Sequence, residues 1–305
     1  MKTEEEVKRF LSTCFLSKVK SFFSEIMKNR VDKSLTIISV IGFLFLFSCN
    51  SELFYLRRGI INYDEGRYDQ AISDFTRVLE INPKLGNVYY NRGTVYWTKK
   101  EYDNAISDFN KALEINPRDS DIYIGRGGVY IDKGLYDQAI SDFNKAIELD
   151  PKPVEAYFNR GVAYAKKGQH DNAIPDFNRT LEMDPRHAGA FSSRGSTYYH
   201  KGLYDQAISD FNKALEINPK DAEAYSNRGS VYREKGQYDQ AISDFNKALE
   251  INPGFAEVYY NRARVYAVKG EYNKSWDDIK KAQDLGLKIP AEFLEDLRKA
   301  SGRQN

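Results

Sequence analysis

Arginine and aspartate recur in lockstep along this chain. Arg58, Arg92, Arg126, Arg160, Arg194, Arg228 and Arg262 each stand sixteen residues before an aspartate: Asp74, Asp108, Asp142, Asp176, Asp210, Asp244 and Asp278. A guanidinium and a carboxylate at fixed separation can present a row of charges to a ligand, or they can close on each other in a two-pronged hydrogen bond. The second is expected, because charges that recur with a framework serve the framework. The histidines follow no such rule. His170, His187 and His200 do not converge, and a metal site needs three or four ligands at compatible spacing. There is no Gly-rich phosphate loop, no Ser/His/Asp set and no isolated carboxylate pair. No catalytic, cofactor-binding or metal-binding residue is therefore assigned, and no enzyme activity, cofactor or small-molecule substrate is expected.

The elements that carry these residues are written over and over. Pro83, Pro117, Pro151, Pro185, Pro219 and Pro253 fall at intervals of 34 residues, a period that means stacked helix-turn-helix units. Each unit begins with an aromatic (Tyr55, Tyr89, Tyr123, Tyr157, Phe191, Tyr225, Tyr259). Four residues on comes a glycine (Gly59, Gly93, Gly127, Gly161, Gly195, Gly229), replaced by Ala263 in the last unit, and three further a second aromatic such as Tyr96 or Tyr232. That spacing is one stripe of a helix. A glycine inside a helix costs about 1 kcal/mol against alanine, so its recurrence requires a neighbouring helix that leaves no room for a side chain.

Each first helix stops at Gly66, Gly134, Gly168, Gly202, Gly236 or Gly270, with Lys100 as the exception. A second helix of the type Tyr-Asp-Gln-Ala-Ile-Ser-Asp-Phe follows, in which Ala241 and Phe245 exemplify the small and large residues that interlock with the first. Asn-Pro ends it, since the residue before proline is pushed out of the α region. Two such helices bury too little alone, so neighbours must stack. Pro175 replaces a serine inside one second helix, where a local bend or looser contact is expected.

The pattern at Tyr89, Gly93, Tyr96, Ala105, Phe109 and Pro117 closely resembles the tetratricopeptide repeat family, and the units on either side match nearly as well. Seven units are counted: 52–85, 86–119, 120–153, 154–187, 188–221, 222–255 and 256–289. The resemblance implies an all-α fold, an α-solenoid of helix-turn-helix repeats forming a right-handed superhelix with a concave inner face. It also implies that the second, fifth, ninth, twelfth and thirteenth residues of each first helix line the groove.

On that implication the fifth position contributes Leu56, Tyr90, Ile124, Phe158, Ser192, Ser226 and Tyr260, and the twelfth Tyr63, Trp97, Ile131, Ala165, Tyr199, Arg233 and Ala267. The lining is apolar and aromatic in the first half and more polar in the second, which suits a peptide or helix dock. Asn91, Asn159, Asn227 and Asn261 at the sixth position can hydrogen-bond an extended peptide backbone. The alternative is that some of these aromatics only support the next helix. Chaperone-binding members add lysines that clamp a C-terminal carboxylate; the fifth position here has no Lys or Arg, so that activity is not carried over.

Residues 1–50 stand apart from the repeats and hold both cysteines, Cys14 and Cys49, so disulfides do not hold the fold. Met27 to Lys33 is basic, and Leu35 to Phe47 is an apolar run of thirteen, shorter than a spanning helix. Leu46-Phe-Ser-Cys49 resembles the lipobox of bacterial lipoproteins, in which the cysteine is acylated, although Phe47 is larger than that pattern prefers. An export signal would make Met27 the initiator, yet Val7, Phe10, Leu11, Cys14, Val19, Phe22, Phe23 and Ile26 form an amphipathic stripe ahead of it. Three readings stand: a lipoprotein signal lipidated at Cys49, an uncleaved anchor, or an apolar helix of another role. The first two place the array in a bacterial cell envelope at a membrane; the last leaves it cytoplasmic.

Residues 290–305 read as a capping helix and tail, with Phe293, Leu294 and Leu297 as a narrow apolar stripe. Lys+Arg 45 against Asp+Glu 44 leaves no field to draw nucleic acid. The leading expectation is a non-catalytic scaffold or adaptor that binds a protein partner; the alternative is a structural spacer or self-associating scaffold.

Overall fold

The structure, a computed structural model, describes residues 51–150 and 153–302. The segment 27–49 read as an export signal, with Cys49, and Cys14 lie outside them. The described residues form fifteen helices and no strands. They are α1 (51–64), α2 (Tyr68–Ile81), α3 (Gly86–Thr98), α4 (Tyr102–Ile115), α5 (Ser120–Asp132), α6 (Tyr136–Leu149), α7 (Val154–Lys166) and α8 (His170–Met183). There follow α9 (Ala188–His200), α10 (Tyr204–Ile217), α11 (Ala222–Glu234), α12 (Tyr238–Ile251), α13 (Ala256–Val268), α14 (Tyr272–Asp284) and α15 (Ala291–Ser301). Two compact units divide them, one ending at Glu101 and one beginning at Tyr102.

The turn chemistry is the one the punctuation residues demand. In the second unit Gly134, Gly168, Gly202, Gly236 and Gly270 take φ between 72° and 78°, a left-handed conformation that costs glycine nothing. Each lets the chain close the helix end: the Gly134 N–H donates to Ile131 O at 2.9 Å and the Leu135 N–H to Tyr130 O at 2.8 Å. In the first unit Lys100 carries the same bonds at φ 62° without that freedom. At the other boundary Asn252, ahead of Pro253, still donates to Ala248 O at 2.8 Å but takes φ −129° and ψ 90°, and the helix ends.

Packing follows one rule. In the first unit, Ala71, Phe75, Val78 and Leu79 of α2 form a buried cluster with Val88 and Val95 of α3. In the second, Ala241, Phe245, Ala248 and Leu249 of α12 do the same with Val258 and Val265 of α13, and Ala207, Phe211 and Leu215 of α10 with Ala224 and Val231 of α11. The third and tenth residues of a first helix are thus the seam onto the preceding second helix. At the far end α15 closes the last pair: Leu297 is buried with Ala263, Ile279, Ala282 and Ile289, and Phe293 and Leu294 pack against them.

The first-helix glycines face the phenylalanine of their own second helix. A Cβ on Gly127 would lie 2.7 Å from Phe143 Cε1, and on Gly161 2.8 Å from Phe177 Cε1. Ala263 breaks this rule together with its partner, for the opposing residue is Ile279 instead of phenylalanine.

The looser contact expected at Pro175 is not found. Helix α8 runs unbroken from His170 to Met183 with Pro175 inside it. The ring stands on the exposed side, while Ala173, Asp176, Phe177 and Thr180 stay buried. The ring on that side displaces no buried side chain.

Candidate functional site

Position seven of each first helix organises the polar interior. Arg194 on α9 donates through Nε to Asp210 Oδ2 and through Nη2 to Asp210 Oδ1, both at 2.7 Å, joining α9 to its partner α10. Its Nη1 reaches back 2.6 Å to Asn178 Oδ1 on α8. The guanidinium also lies over the rings of Phe191 and Tyr198, at 5.7 and 5.9 Å, a cation–π arrangement. One side chain therefore ties three helices, and the two aromatics of the stripe are its walls.

The clamp recurs through the second unit. Arg160, Arg228 and Arg262 bind Asp176, Asp244 and Asp278 in the same two-pronged way and reach back to Asn144, Asn212 and Asn246, each at 2.6 Å. Arg126 does so with Asp142 and Asn110. Hydrogen bonding to Asp210 holds the Arg194 proton more tightly than usual, against the opposing effect of burial. In the first unit Arg58 binds Asp74, Arg92 reaches Thr76, and buried Asn62 donates to Asp74 at 2.9 Å while accepting from Arg67. Asn62, in the place of the second aromatic, is a member of the clamp. These charges are engaged by the framework and are not a ladder for a ligand.

A second ladder had no counterpart in the sequence reading. The lysine after each first helix from α3 to α13 binds an aspartate thirty residues earlier, in the first turn of the preceding second helix: Lys99 with Asp69, and Lys133, Lys167, Lys201, Lys235 and Lys269 with Asp103, Asp137, Asp171, Asp205 and Asp239. The regular interval of thirty was available as a signal.

The face left for a ligand is set by the first helices. In the second unit successive first helices touch, α5 with α7, α7 with α9, α9 with α11 and α11 with α13. Ile124, Ile131, Phe158, Asn159, Tyr199, Arg233, Tyr260 and Asn261 are all half-buried on it, and Asn227 is exposed. In the first unit Tyr90, Asn91 and Trp97 are half-buried on α3.

Several of these side chains also support neighbours. Ile124 and Ile131 pack on the core of Ala139, Phe143 and Ala156, and Tyr199 on that of Ala207 and Phe211. Phe158 lies 4.6 Å from the His187 ring and 6.1 Å from Phe177. Tyr260 meets Phe293 of α15 edge-on at 5.5 Å. Arg233 donates to Asn261 at 3.0 Å and pairs with Glu234, so two candidate polar contacts bind each other. A depression of about 540 Å³ lined by Tyr123, Arg126, Asp142 and Lys145 lies on the clamp side and borders none of the candidates.

Three family models match. The first, described as tetratricopeptide repeat, covers 86–119, 154–187 and 222–255; the second, described as TPR repeat, covers 59–100, 127–168 and 195–232; the third, again tetratricopeptide repeat, covers 245–277. These units are tetratricopeptide repeats. Among solved structures, a tetratricopeptide repeat protein from Parabacteroides merdae is 22% identical over 83% of this chain and 100% of its own, with a TM-score of 0.65. The Pseudomonas aeruginosa pilF structure is 18% identical over 71% of this chain and 99% of its own, at 0.62. The APC/C hetero-tetramer Cut9–Hcn1 is 20% identical over 76% of this chain and 48% of that one, at 0.65. At these identities the likeness is one of fold. No curated protein matches the chain.

The histidines need a correction. His170 and His200 do converge across the repeat boundary, with parallel rings 5.5 Å apart. They share the thirty-residue interval of the Lys–Asp ladder, which short-range motif reading does not see. His187 caps α9, its Nδ1 accepting from the Ala190 N–H at 3.0 Å. Among the described residues no group of three or more His, Cys, Asp or Glu could hold a metal ion.

Proposed function

We propose that this tetratricopeptide array is a non-catalytic scaffold that holds a peptide or helix of a partner protein against the face of its first helices. The observation that carries this is a contrast within the repeat. The clamp arginine and aspartate recur unchanged, whereas the fifth and twelfth positions change from Ile124, Ile131 and Phe158 to Ser192, Tyr199 and Arg233, all half-buried and none sealed; Ser226 alone at these positions is buried. Packing needs a recurring residue; a ligand needs a particular one. The apolar part, Ile124, Ile131 and Phe158, would anchor apolar side chains, and Asn159 and Asn227 would meet the ligand backbone. A full-length chain carrying a photoreactive phenylalanine at Phe158 should form adducts with a bound protein, and the same probe at exposed Gln138 on α6 should not. Equal adducts from both positions would contradict the proposal.

A spacer that grows end to end is less well supported, because α15 already covers the last repeat. For residues 1–50 two roles compete. A membrane tether is favoured by the basic stretch 27–33, the run 35–47 and Cys49; mass spectrometry of the native N-terminus separates a lipid tether at an acylated Cys49 from an uncleaved segment beginning at Met1 or Met27. A role inside the fold is the other.

A further inference from the structure

Seam residues are buried where a second helix precedes them. Val88 and Val95 on α3, Val258 and Val265 on α13, and Ala224 and Val231 on α11 are at most 1% exposed. The same two positions on α1 are Phe54 and Ile61, which are 40% and 51% exposed. Phe54 is also larger than any seam residue elsewhere, and Ile61 is matched only by Ile122, which is 1% exposed. Leu53 and Ile60 beside them, 48% and 42% exposed, complete a stripe at i, i+1, i+7 and i+8. The position of Leu53 is otherwise Asn87, Asp121, Glu155, Gly189, Glu223 or Glu257, so α1 is apolar where the other first helices are polar or small. A terminal repeat that ends an array in water needs a polar outer face, and α1 presents the opposite.

We propose that the occupant of this face is the chain's own segment 34–47, standing in the place of a preceding second helix. Two measurements along the sequence fit it. Second helices such as α2 and α12 have 14 residues, and 34–47 has the same length. Four residues, 82–85, separate α2 from the start of α3, and three, 48–50, separate Phe47 from Ser51, the first described residue of α1. In that register Ile41 takes the place of the phenylalanine represented by Phe75, and Phe45 that of Leu79, the two α2 residues that meet the seam on α3. The apolar run of thirteen is short of the roughly 18 to 20 residues that cross a bilayer but sufficient to cover one helix face. The chain already closes its other end in this way, with Leu297 of α15. The inference goes beyond the binding face and does not rest on it; it competes with removal of the segment before Cys49.

The test is thiol labelling of the full-length chain with Cys14→Ser and Cys49→Ser, carrying either Ile61→Cys or, as an exposed control, Val268→Cys, which is 64% exposed. Ile61→Cys should label about tenfold more slowly than the control or slower. Adding Ile41→Glu and Phe45→Glu should restore its rate while leaving Val268→Cys unchanged. Equal rates without those changes would overturn the proposal. Protection that needs lipid vesicles, or that rises with protein concentration, would assign the face to a bilayer or a second copy and overturn it as well. A native chain that begins at Cys49 would do the same.

Discussion

Arg194 and Asp210 share two parallel 2.7 Å hydrogen bonds between paired helices, and the third arm of the same guanidinium holds Asn178 on the helix before. Asp210 is 7% exposed and Arg194 18%, so neither is free to recover hydration when its partner is lost. Asp210→Ala should cost about 3 kcal/mol or more, as expected for an uncompensated buried charge, and Arg194→Lys should not rescue the fork. Replacing both, Arg194→Met with Asp210→Leu, should cost less than the sum of the two single changes. Denaturant titration of the four chains in a double-mutant cycle checks this.

The pairing of Gly127 with Phe143 makes a second prediction. A Cβ at 127 meets the ring at 2.7 Å, so Gly127→Ala should lose about 1–3 kcal/mol to overpacking, more than the roughly 1 kcal/mol that alanine gains in helix propensity. The last repeat tolerates Ala263 opposite Ile279. Gly127→Ala with Phe143→Ile should therefore be more stable than the two single changes added together, by about 1 kcal/mol or more, in the same kind of titration.

Lys100 holds φ 62° where five turns of the second unit use glycine. Lys100→Gly should stabilise by about 1 kcal/mol, since a non-glycine residue pays roughly 1–2 kcal/mol in this conformation. Gly134→Ala should destabilise by a similar amount. Thermal melts of both variants read the sign directly.

The hydrogen bond from Lys201 holds the Asp171 carboxyl below its usual range, with the lysine charge adding to it. A carboxylate depressed on folding contributes stability that is fully present above its unfolded value and lost as pH falls through the folded one. The difference in melting temperature between the parent and Asp171→Asn should be constant near neutrality, begin to shrink near about pH 4 and be lost as the pH falls further through the depressed folded value. A difference that grows in acid would contradict the assignment.

What could be read beforehand was whatever recurs at the repeat itself. The period of 34, the stop glycines and the Arg–Asp interval are each repeated often enough to name their partners. Features that join one repeat to the next were missed for a physical reason: Lys201 with Asp171 and His200 with His170 lie thirty residues apart, beyond the reach of local motifs, and meet only when repeats stack. Asn62 looked like a lost aromatic because its value lies in hydrogen bonds to Asp74 and Arg67, which no hydrophobic pattern records. Pro175 suggested a looser contact because its exposed position could not be known from helical spacing alone. The proposed binding face was legible only as a set of non-recurring residues. That Arg233 would be taken by Asn261, and Tyr260 by Phe293, required coordinates.

The central claim is that the variable first-helix residues of the second unit hold a protein ligand. Peptides selected from a random display library on the full-length chain test it most directly, by their affinity for two variant pairs. Ile124→Ala with Phe158→Ala should weaken the selected peptides about tenfold or more, and Gln138→Ala with Ser141→Ala on the exposed side of α6 should leave them unchanged. Peptides that bind the first pair as tightly as the parent, or that are lost with the second, would contradict the account.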